Sequence, residues 1–156
     1  MTKAVVDTTI LVSALLNFVT GGASHDLLPS AAEGKIELYL SDDILEETAR
    51  VLLTGERIRK HYAYTDDDVV GYCRHLTALA SIVSRVPEVR VVRDPNDDMI
   101  VACAIAAGAD YVVTRDKDVL SLDHYKSIRF VTPKGFLKIL RERMGATGAL
   151  GYTGGH

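Results

Sequence analysis

Short apolar segments alternate along this chain with longer segments that have the periodicity of amphipathic helices. Five segments have the length and apolar character of buried strands: Lys3–Asp7, Ile36–Leu40, Val89–Val92, Tyr111–Val113 and Ile128–Val131. Strands that are separated by helices connect in parallel, because each helix carries the chain back to the same end of the sheet. The sequence therefore predicts an α/β fold with three layers (α/β/α) and a mainly parallel central sheet.

Capping residues and glycines mark the ends of the predicted helices. Ser41 and Thr65 are predicted N-caps, and Gly34, Gly55 and Gly108 are predicted to end helices. The predicted helices run from Ile10 to Phe18, from Leu27 to Glu33, from Ser41 to Gly55, from Thr65 to Val83, from Met99 to Ala107 and from Pro133 to Arg143. The helix that begins at Met99 is apolar on nearly every side, which is typical of a helix buried on both flanks.

The length of 156 residues suits one domain, which we expect to span residues 1–143. The tail at residues 144–156 contains five of the twelve glycines and is expected to be flexible. No linker or internal repeat divides the rest of the chain.

The sequence favours a cytoplasmic protein that does not contact a membrane. The apolar run Ile10–Leu16 follows Lys3, as in a signal peptide, but Asp7 lies between them and no cleavage pattern follows. No run reaches the roughly 18 consecutive apolar residues of a membrane span. Cys73 and Cys103 lack a CxxC partner and lie in apolar segments, as expected of buried thiols in a reducing compartment.

The acidic residues are divided unevenly between Asp and Glu. The chain has 21 acidic and 18 basic residues, a formal net charge of −3, and fourteen of the acids are Asp. This total argues against a protein that is held to nucleic acid by bulk positive charge. Asp is typical of helix caps, turns and hard-metal sites, so the positions of these residues decide what they indicate.

Several carboxylates are predicted to meet at one edge of the sheet, beyond the carboxyl ends of the strands, where open parallel sheets bind ligands. Asp7 ends the first strand, and Asp116 follows a later one. Asp97 or Asp98 begins the buried helix at the same edge, and the helical period turns Glu47 towards the border of an apolar face.

Clustered acids without interleaved Lys or Arg raise one another's pKa and destabilise a fold unless a cation neutralises them. The available ligands are carboxylate, hydroxyl and water oxygens, which suit Mg²⁺ or Mn²⁺ better than Zn²⁺. Such an ion supports phosphodiester hydrolysis, because it lowers the pKa of a bound water and neutralises the phosphate under attack. Each acid also has an ordinary interpretation as a cap, turn or solvated residue, and spacing alone leaves that alternative open.

At these residues the sequence resembles the PIN-domain nucleases, in particular the VapC-like branch that supplies the toxins of toxin–antitoxin modules. The run Asp7–Ser13 is similar to the opening motif of the family, and Ser41–Leu52 is similar to the second. Arg93–Asp98 and Gly108–Asp116 resemble the third and fourth motifs. The similarity covers about residues 3–140.

The resemblance implies four metal-binding acids and one supporting hydroxyl: Asp7, Glu47, Asp98, Asp116 and Thr114. Spacing from Thr114 favours Asp98 over Asp97, although the choices of Asp97 or Asp98 and of Asp116 or Asp118 stay open. Thr9 stands where the family usually has Asn. The implied activity is that of an Mg²⁺- or Mn²⁺-dependent endoribonuclease, in which a metal-activated water cleaves single-stranded RNA to leave a 5′-phosphate and a 3′-hydroxyl. Glu47 would bind metal or orient the nucleophile.

The resemblance also implies protein partners, namely a cognate antitoxin and a second copy of the chain. Apolar helix surfaces near Leu52 or Leu76 are the candidate contacts for a homodimer. RNA binding is predicted for Arg57, Arg59 and Lys60, whose side chains can contact phosphates, with a solvated helix end as the alternative. Two other functions stay open: an RNA-processing PIN nuclease without an antitoxin, and an inactive PIN scaffold that binds RNA or protein.

Overall fold

The computed structural model describes residues 2–16, 23–88 and 95–143, which form a six-stranded sheet with helices packed against it. The strands are β1 (Thr2–Val6), β2 (Ile36–Ser41), β3 (Ser81–Val83), β4 (Tyr111–Val113), β5 (His124–Tyr125) and β6 (Ile128–Val131). The helices are α1 (Thr8–Leu16), α2 (Ala23–Ala32), α3 (Asp42–Thr54), α4 (Glu56–His61), α5 (Asp66–Leu79), α6 (Pro95–Ala107), α7 (Lys117–Leu120) and α8 (residues 133–143). The prediction of an α/β fold is confirmed.

Strand β1 lies inside the sheet, whose order is β3-β2-β1-β4-β6-β5. Both neighbours of β1 pair with it in parallel, and β5 is the antiparallel strand of the described sheet. Ala4 and Val5 are fully buried, as expected of a strand covered on both faces. The strand order reverses at β1, because the chain first extends the sheet towards β2 and later towards β4. The carboxyl ends of β1 and β4 therefore open onto the crevice where such sheets bind ligands.

Hydrogen bonds at the helix ends confirm several predicted boundaries. Ser41 Oγ accepts from the backbone N–H of Ile44 at 3.2 Å at the start of α3. Thr65 and Asp68 cap α5 reciprocally: Thr65 Oγ1 accepts from Asp68 N at 3.1 Å, and Asp68 Oδ2 accepts from Thr65 N at 2.8 Å. Gly108 follows α6 with φ +63°, a left-handed conformation that glycine adopts with little strain.

The predicted helix from Thr65 to Val83 is too long. Helix α5 ends at Leu79, and the next residues form β3, which pairs in parallel with β2 so that Ile82 lies opposite Leu40. A short apolar run fits a helix or a strand by periodicity, and here the free edge of β2 decides the outcome. Helices α4 and α7 and strand β5 lie in segments without a predicted element. Each has six residues or fewer, which is too short to show a hydrophobic period.

Helix α6 is buried to the extent that its composition predicted. Ile100, Val101, Ala102, Cys103 and Ala104 are each at most 4% exposed. The helix packs against β1, β2, β4 and α3, so apolar residues are needed around most of its circumference.

Leu52 and Leu76, near which the dimer contacts are predicted, cannot form those contacts with their own side chains. Both are fully buried in the core of the protomer, because they lie on the inner faces of α3 and α5. Leu53 and Val70 on the same two helices are 41% and 48% exposed. They border an apolar groove of about 510 Å³ that is lined by residues of α3 and α5.

Some sequence-based predictions concern residues outside the described ranges. They are the strand at Val89–Val92, the end of the first helix at Phe18 and the flexible tail at 144–156. Within the described ranges, no helix combines the length and the apolar character needed to cross a lipid bilayer.

Candidate active site

A cleft of about 440 Å³ opens beyond the carboxyl ends of β1 and β4. Its lining comes from the two strand ends and from α1, α3 and α6: Asp7, Thr8, Thr9, Ser13, Glu47, Val51, Asp97, Arg115 and Asp116. Four of these nine side chains are carboxylates, and they come from four separate parts of the chain. The cleft therefore gathers acidic side chains at the edge where a parallel sheet binds its ligands.

Hydrogen bonds join Asp7 to Asp116 through Thr114. Thr114 Oγ1 donates to Asp7 Oδ2 at 2.7 Å and accepts from the backbone N–H of Asp116 at 3.0 Å. Thr114 is only 1% exposed, and the backbone N–H of Asp7 donates to Val113 O at 2.9 Å. The two strand ends are thereby held in one register, and the buried hydroxyl fixes the orientation of the Asp7 carboxylate.

Asp116 also begins the short helix α7. Its Oδ1 accepts from the backbone N–H groups of Asp118 at 2.8 Å and Val119 at 3.3 Å, as an N-cap does. Within the described residues its other oxygen, Oδ2, makes no hydrogen bond. Asp118 is exposed and does not line the cleft. Of the two acids that sequence reasoning left open, the structure therefore brings Asp116 into the cleft.

Burial raises the pKa of Asp7 above its ordinary value. Asp7 is 6% exposed, and the negative charge of nearby Asp116 adds to the cost of removing its carboxylate from water. Hydrogen bonds from Thr114 and from the backbone N–H of Thr9, the latter 3.4 Å long, lower the pKa without offsetting the burial. The ionised cleft is therefore short of positive charge, and a bound cation would stabilise it.

Glu47 lines the cleft and forms an ion pair with Arg50. Arg50, three residues later on α3, donates from Nε to Oε2 at 3.0 Å and from Nη2 to Oε1 at 2.5 Å. This pair of bonds lowers the pKa of Glu47. The Glu47 side chain is 20% exposed whereas that of Arg50 is 61% exposed, so Glu47 lies on the cleft side of the pair and Arg50 on the solvent side. The preceding Glu46 is exposed, in agreement with the predicted orientation of this helix.

Asp97 lines the cleft, whereas its neighbour Asp98 does not. Asp97 is 7% exposed, and Asp98 is half-buried. Consecutive residues of a helix point about 100° apart, so the rotation of α6 against the sheet selects one of the two for the cleft wall. Spacing from Thr114 favoured Asp98, but residue counting contains no information about that rotation.

Sequence reasoning missed three polar residues of the lining: Thr8, Ser13 and Arg115. Thr8 is 7% exposed, and its Oγ1 is the one buried side-chain oxygen or nitrogen of the described residues that lacks a hydrogen-bond partner. The sequence does place a hydroxyl residue, Thr8, next to Asp7 and a basic residue, Arg115, next to Asp116. These residue types are common in turns and helix starts, so only the fold shows that they face a cleft.

The three basic residues of α4 that are predicted to bind RNA differ in their surroundings: Arg59 contacts other residues of the protein, whereas Arg57 and Lys60 are exposed. Arg59 forms an ion pair with Asp66, donates from Nε to a backbone carbonyl of α3 at 3.2 Å and lies 5.0 Å from the ring centroid of Tyr64. Arg57 and Lys60 are exposed. None of the three basic side chains lines the cleft, and Arg59 is committed to contacts within the protein.

The donor set of the cleft fits a hard divalent cation. Asp7, Asp97, Asp116 and Glu47 offer only carboxylate oxygens, and Thr8 adds a buried hydroxyl without a partner. Among the described residues, no three Asp, Glu, His or Cys side chains lie close enough together to form a metal-binding group on their own. Mg²⁺ keeps several water ligands and is commonly bound by one or two carboxylates, so the cleft meets its requirements in ligand type.

Comparisons with known proteins identify the family of this fold. A chain of the crystal structure of VapBC2 from Rickettsia felis bound to a DNA fragment from their promoter is similar, with a TM-score of 0.56 and 13% sequence identity. The similarity covers 82% of this chain and 96% of that chain. None of the curated proteins compared with this chain matches it significantly. The PIN domain family model matches residues 3–118, which include every residue of the cleft lining, and the chain therefore belongs to the PIN-domain family.

Proposed function

We propose that this protein is a cytoplasmic, Mg²⁺- or Mn²⁺-dependent endoribonuclease of single-stranded RNA and the toxin of a toxin–antitoxin pair. The observation that carries the nuclease activity is the cleft in which Asp7, Asp97, Asp116 and Glu47 meet at the carboxyl edge of the sheet. PIN domains are in general nucleases that use divalent metal ions, and membership of this family supports the same chemistry here.

In this proposal Asp7, Asp97 and Asp116 would bind the divalent ion partly through its water ligands, since the three side chains do not lie close enough together to bind it all directly. When bound, the ion lowers the pKa of water and neutralises charge on the phosphate. Thr114 keeps the Asp7 carboxylate in position by its 2.7 Å hydrogen bond, and Asp116 keeps Oδ2 available while Oδ1 caps α7. Asp97 takes the place of Asp98, because Asp97 is the residue of α6 that lines the cleft.

Glu47 has a different role from the other three acids. Arg50 lowers its pKa, and a carboxylate with a lowered pKa is a weak base that stays ionised. Glu47 therefore orients the attacking water by accepting a hydrogen bond from it. Water attacks phosphorus and releases a proton to the solvent, the bond to the 3′ oxygen breaks, and that oxygen takes a proton from the solvent and leaves as a hydroxyl. The products are a 5′-phosphate and a 3′-hydroxyl.

The toxin assignment is supported by the sequence motifs and by the fold shared with a chain of the VapBC2 complex. A toxin of this kind has a cognate antitoxin as its protein partner. Expression of the wild-type chain is expected to arrest growth of a bacterial host, whereas expression of the Asp7→Asn variant is not. Co-expression of the antitoxin would restore growth. Normal growth despite full ribonuclease activity would instead favour an RNA-processing nuclease.

The direct test is cleavage of end-labelled, single-stranded RNA by the purified full-length chain. We expect cleavage with Mg²⁺ or Mn²⁺, inhibition by EDTA, and a loss of about a hundredfold or more in Asp7→Asn and Asp97→Asn. Asp98→Asn is the matched control, because it removes the same charge from the same turn of α6 without changing the cleft lining.

Each alternative outcome has a definite meaning. Metal-dependent cleavage that survives Asp7→Asn would locate the reaction elsewhere in the protein. Loss of activity in Asp98→Asn, with activity retained in Asp97→Asn, would reinstate the residue that spacing favoured. If the wild-type chain does not bind Mn²⁺ in calorimetry, the proposal of a metal-dependent nuclease is rejected, and an inactive PIN scaffold that binds RNA or protein is favoured instead.

A further inference from the structure

Arg115 carries the one positive charge among the described residues of the cleft lining, against four carboxylates. Its side chain is exposed. Within residues 2–16, 23–88 and 95–143, it makes no hydrogen bond and no ion pair. The acids nearby are engaged in other contacts, since Asp7 accepts from Thr114 and Glu47 is bound by Arg50. The Arg115 guanidinium is therefore available to bind a ligand in the cleft.

The backbone of Arg115 is fixed on both sides. Thr114 N donates to Val131 O at 2.9 Å, which continues the pairing of β4 with β6. Asp116 N donates to Thr114 Oγ1 at 3.0 Å, and Asp116 O accepts from Leu120 N at 2.9 Å within α7. A rigid backbone thus holds a side chain with five N–H donors beside the cleft.

The negative charge of the cleft disfavours binding of RNA, and the positive charge of Arg115 reduces this repulsion. A phosphodiester chain that approaches four carboxylates is repelled, and a divalent ion offsets only part of that charge. A guanidinium can form two parallel hydrogen bonds to one phosphate group, which gives both attraction and orientation. We infer that Arg115 binds a backbone phosphate of the single-stranded substrate, beside the phosphate that is cleaved. This inference rests on the nuclease function proposed above and adds a substrate-binding residue to it.

The first test measures binding of a short, fluorescently labelled single-stranded RNA to the full-length chain in EDTA, where metal-dependent cleavage does not occur. Arg115→Ala should weaken binding about tenfold, which is the loss expected for hydrogen bonds to a charged group. It should also reduce the slope of log affinity against log salt by about 0.7, the value for one phosphate contact on a single strand. The loss should be similar for oligonucleotides of different sequence.

Two variants separate charge from structure. Arg115→Lys keeps the positive charge, so it should retain the wild-type salt slope while losing part of the affinity. Arg141→Ala removes an exposed arginine of α8 that does not line the cleft, so it should bind RNA as the wild type does. Unchanged thermal unfolding and unchanged Mn²⁺ affinity of Arg115→Ala would exclude an indirect structural effect. An Arg115→Ala affinity equal to that of Arg141→Ala would overturn the inference.

The second test measures steady-state cleavage with Mn²⁺. Removing a contact to a phosphate beside the scissile one should raise KM about tenfold with little change in kcat. RNA cleavage without any dependence on Arg115 would reject the inference and leave the nuclease function intact. An inactive wild-type chain whose RNA affinity still depends on Arg115 would instead reject the nuclease function.

Discussion

Asp7 combines near-complete burial with a position next to a second carboxylate, Asp116. Proteins rarely accept this arrangement in the absence of a cation, because burial disfavours the ionised form and a like charge disfavours it further. The hydrogen bond from Thr114 reduces the penalty but does not remove it. The metal-free protein is therefore destabilised at the residue that the proposed reaction needs.

Replacing Asp7 with Asn should stabilise the metal-free protein at neutral pH. Asn cannot ionise, and its carbonyl oxygen can still accept from the Thr114 hydroxyl. The stability of the wild type falls as pH rises from about 3.9, the ordinary pKa of Asp, through the raised pKa of Asp7. Asp7→Asn should therefore have a higher free energy of unfolding than the wild type at neutral pH. The difference should disappear in acid, where Asp7 is protonated and residue 7 is uncharged in both proteins.

Thermal unfolding in EDTA across this pH range measures the effect. Asp118→Asn is the control, because Asp118 is exposed and lies outside the cleft lining. A Tm for Asp7→Asn below that of the wild type at neutral pH would contradict the argument. Adding Mn²⁺ should reverse the order of the two proteins, because only the wild type keeps the carboxylate.

Arg50 should compete with a divalent ion for the charge of Glu47. In the folded chain it occupies both Glu47 oxygens, and its own side chain is largely exposed. Arg50→Ala should therefore raise Mn²⁺ affinity about threefold, in line with the modest strength of exposed ion pairs. Calorimetry on this variant and on Arg141→Ala gives the comparison. Weaker Mn²⁺ binding by Arg50→Ala than by the control would show that Arg50 organises the site.

Helix α4 shows how one residue can determine the position of an element. The helix has only six residues and none is buried, so it has little stability of its own. Arg59 connects it to the C-terminal part of α3, to Asp66 at the start of α5 and to the Tyr64 ring. Tyr64 donates its hydroxyl to Leu52 O at 2.5 Å and so strengthens the same junction.

Arg59→Ala should therefore lower the free energy of unfolding by about 1 to 2 kcal/mol, the sum of a hydrogen bond and a cation–π contact. Arg57→Ala, on the same helix but exposed, should change it by less than about 0.5 kcal/mol. Urea unfolding of the two variants provides the measurement. Equal stability of the two would mean that the Arg59 contacts are not maintained in solution.

The elements that sequence predicted correctly are those with a strong local signal. Ser41 and Thr65 start helices because their side chains accept backbone N–H groups, and that chemistry is visible in the sequence. β3 was missed because Val83 continues the apolar pattern of the preceding helix, and only the pairing with β2 makes this segment a strand. Local patterns do not encode such long-range pairing.

The cleft, like the fold, was predictable from the sequence only where a local pattern or the order of the elements determines it. The topology of alternating elements brought Asp7 and Asp116 to one edge, and the helical period turned Glu47 towards it. The selection of Asp97 depends on the rotation of α6, and the placement of Arg115 depends on the turn after β4. These two features arise from packing, so spacing along the sequence could not supply them.

The whole molecule carries an apolar groove between α3 and α5 that is separate from the cleft. Leu53 and Val70 at its border are among the most exposed large apolar side chains of the described residues. Exposed apolar patches commonly mark interfaces between proteins, and the family resemblance implies a homodimer. We expect two copies of the chain to associate through this groove.

Leu53→Glu and Val70→Glu should each shift the protein towards the monomer, because a carboxylate in an apolar interface is left without water. Lys134→Glu on α8 is the control, since it changes the charge at an exposed position away from the groove. Size-exclusion chromatography with light scattering measures the mass. A wild-type chain that is monomeric at every concentration, or variants that dimerise like the control, would rule out this interface.

The hydrogen bond between Thr114 and Asp7 joins residues that are 107 positions apart. During translation, β1 is made first, but β4 and the turn that carries Asp116 follow only after most of the chain has been synthesised. A nascent chain that stalls before Tyr111 therefore lacks β4 and the turn that carries Asp116, both of which form part of the cleft. Contacts over such long separations also form slowly in folding. Under the proposed function, ribonuclease activity would consequently begin only once synthesis has passed Asp116, and this delay would give a cognate antitoxin time to bind the chain first.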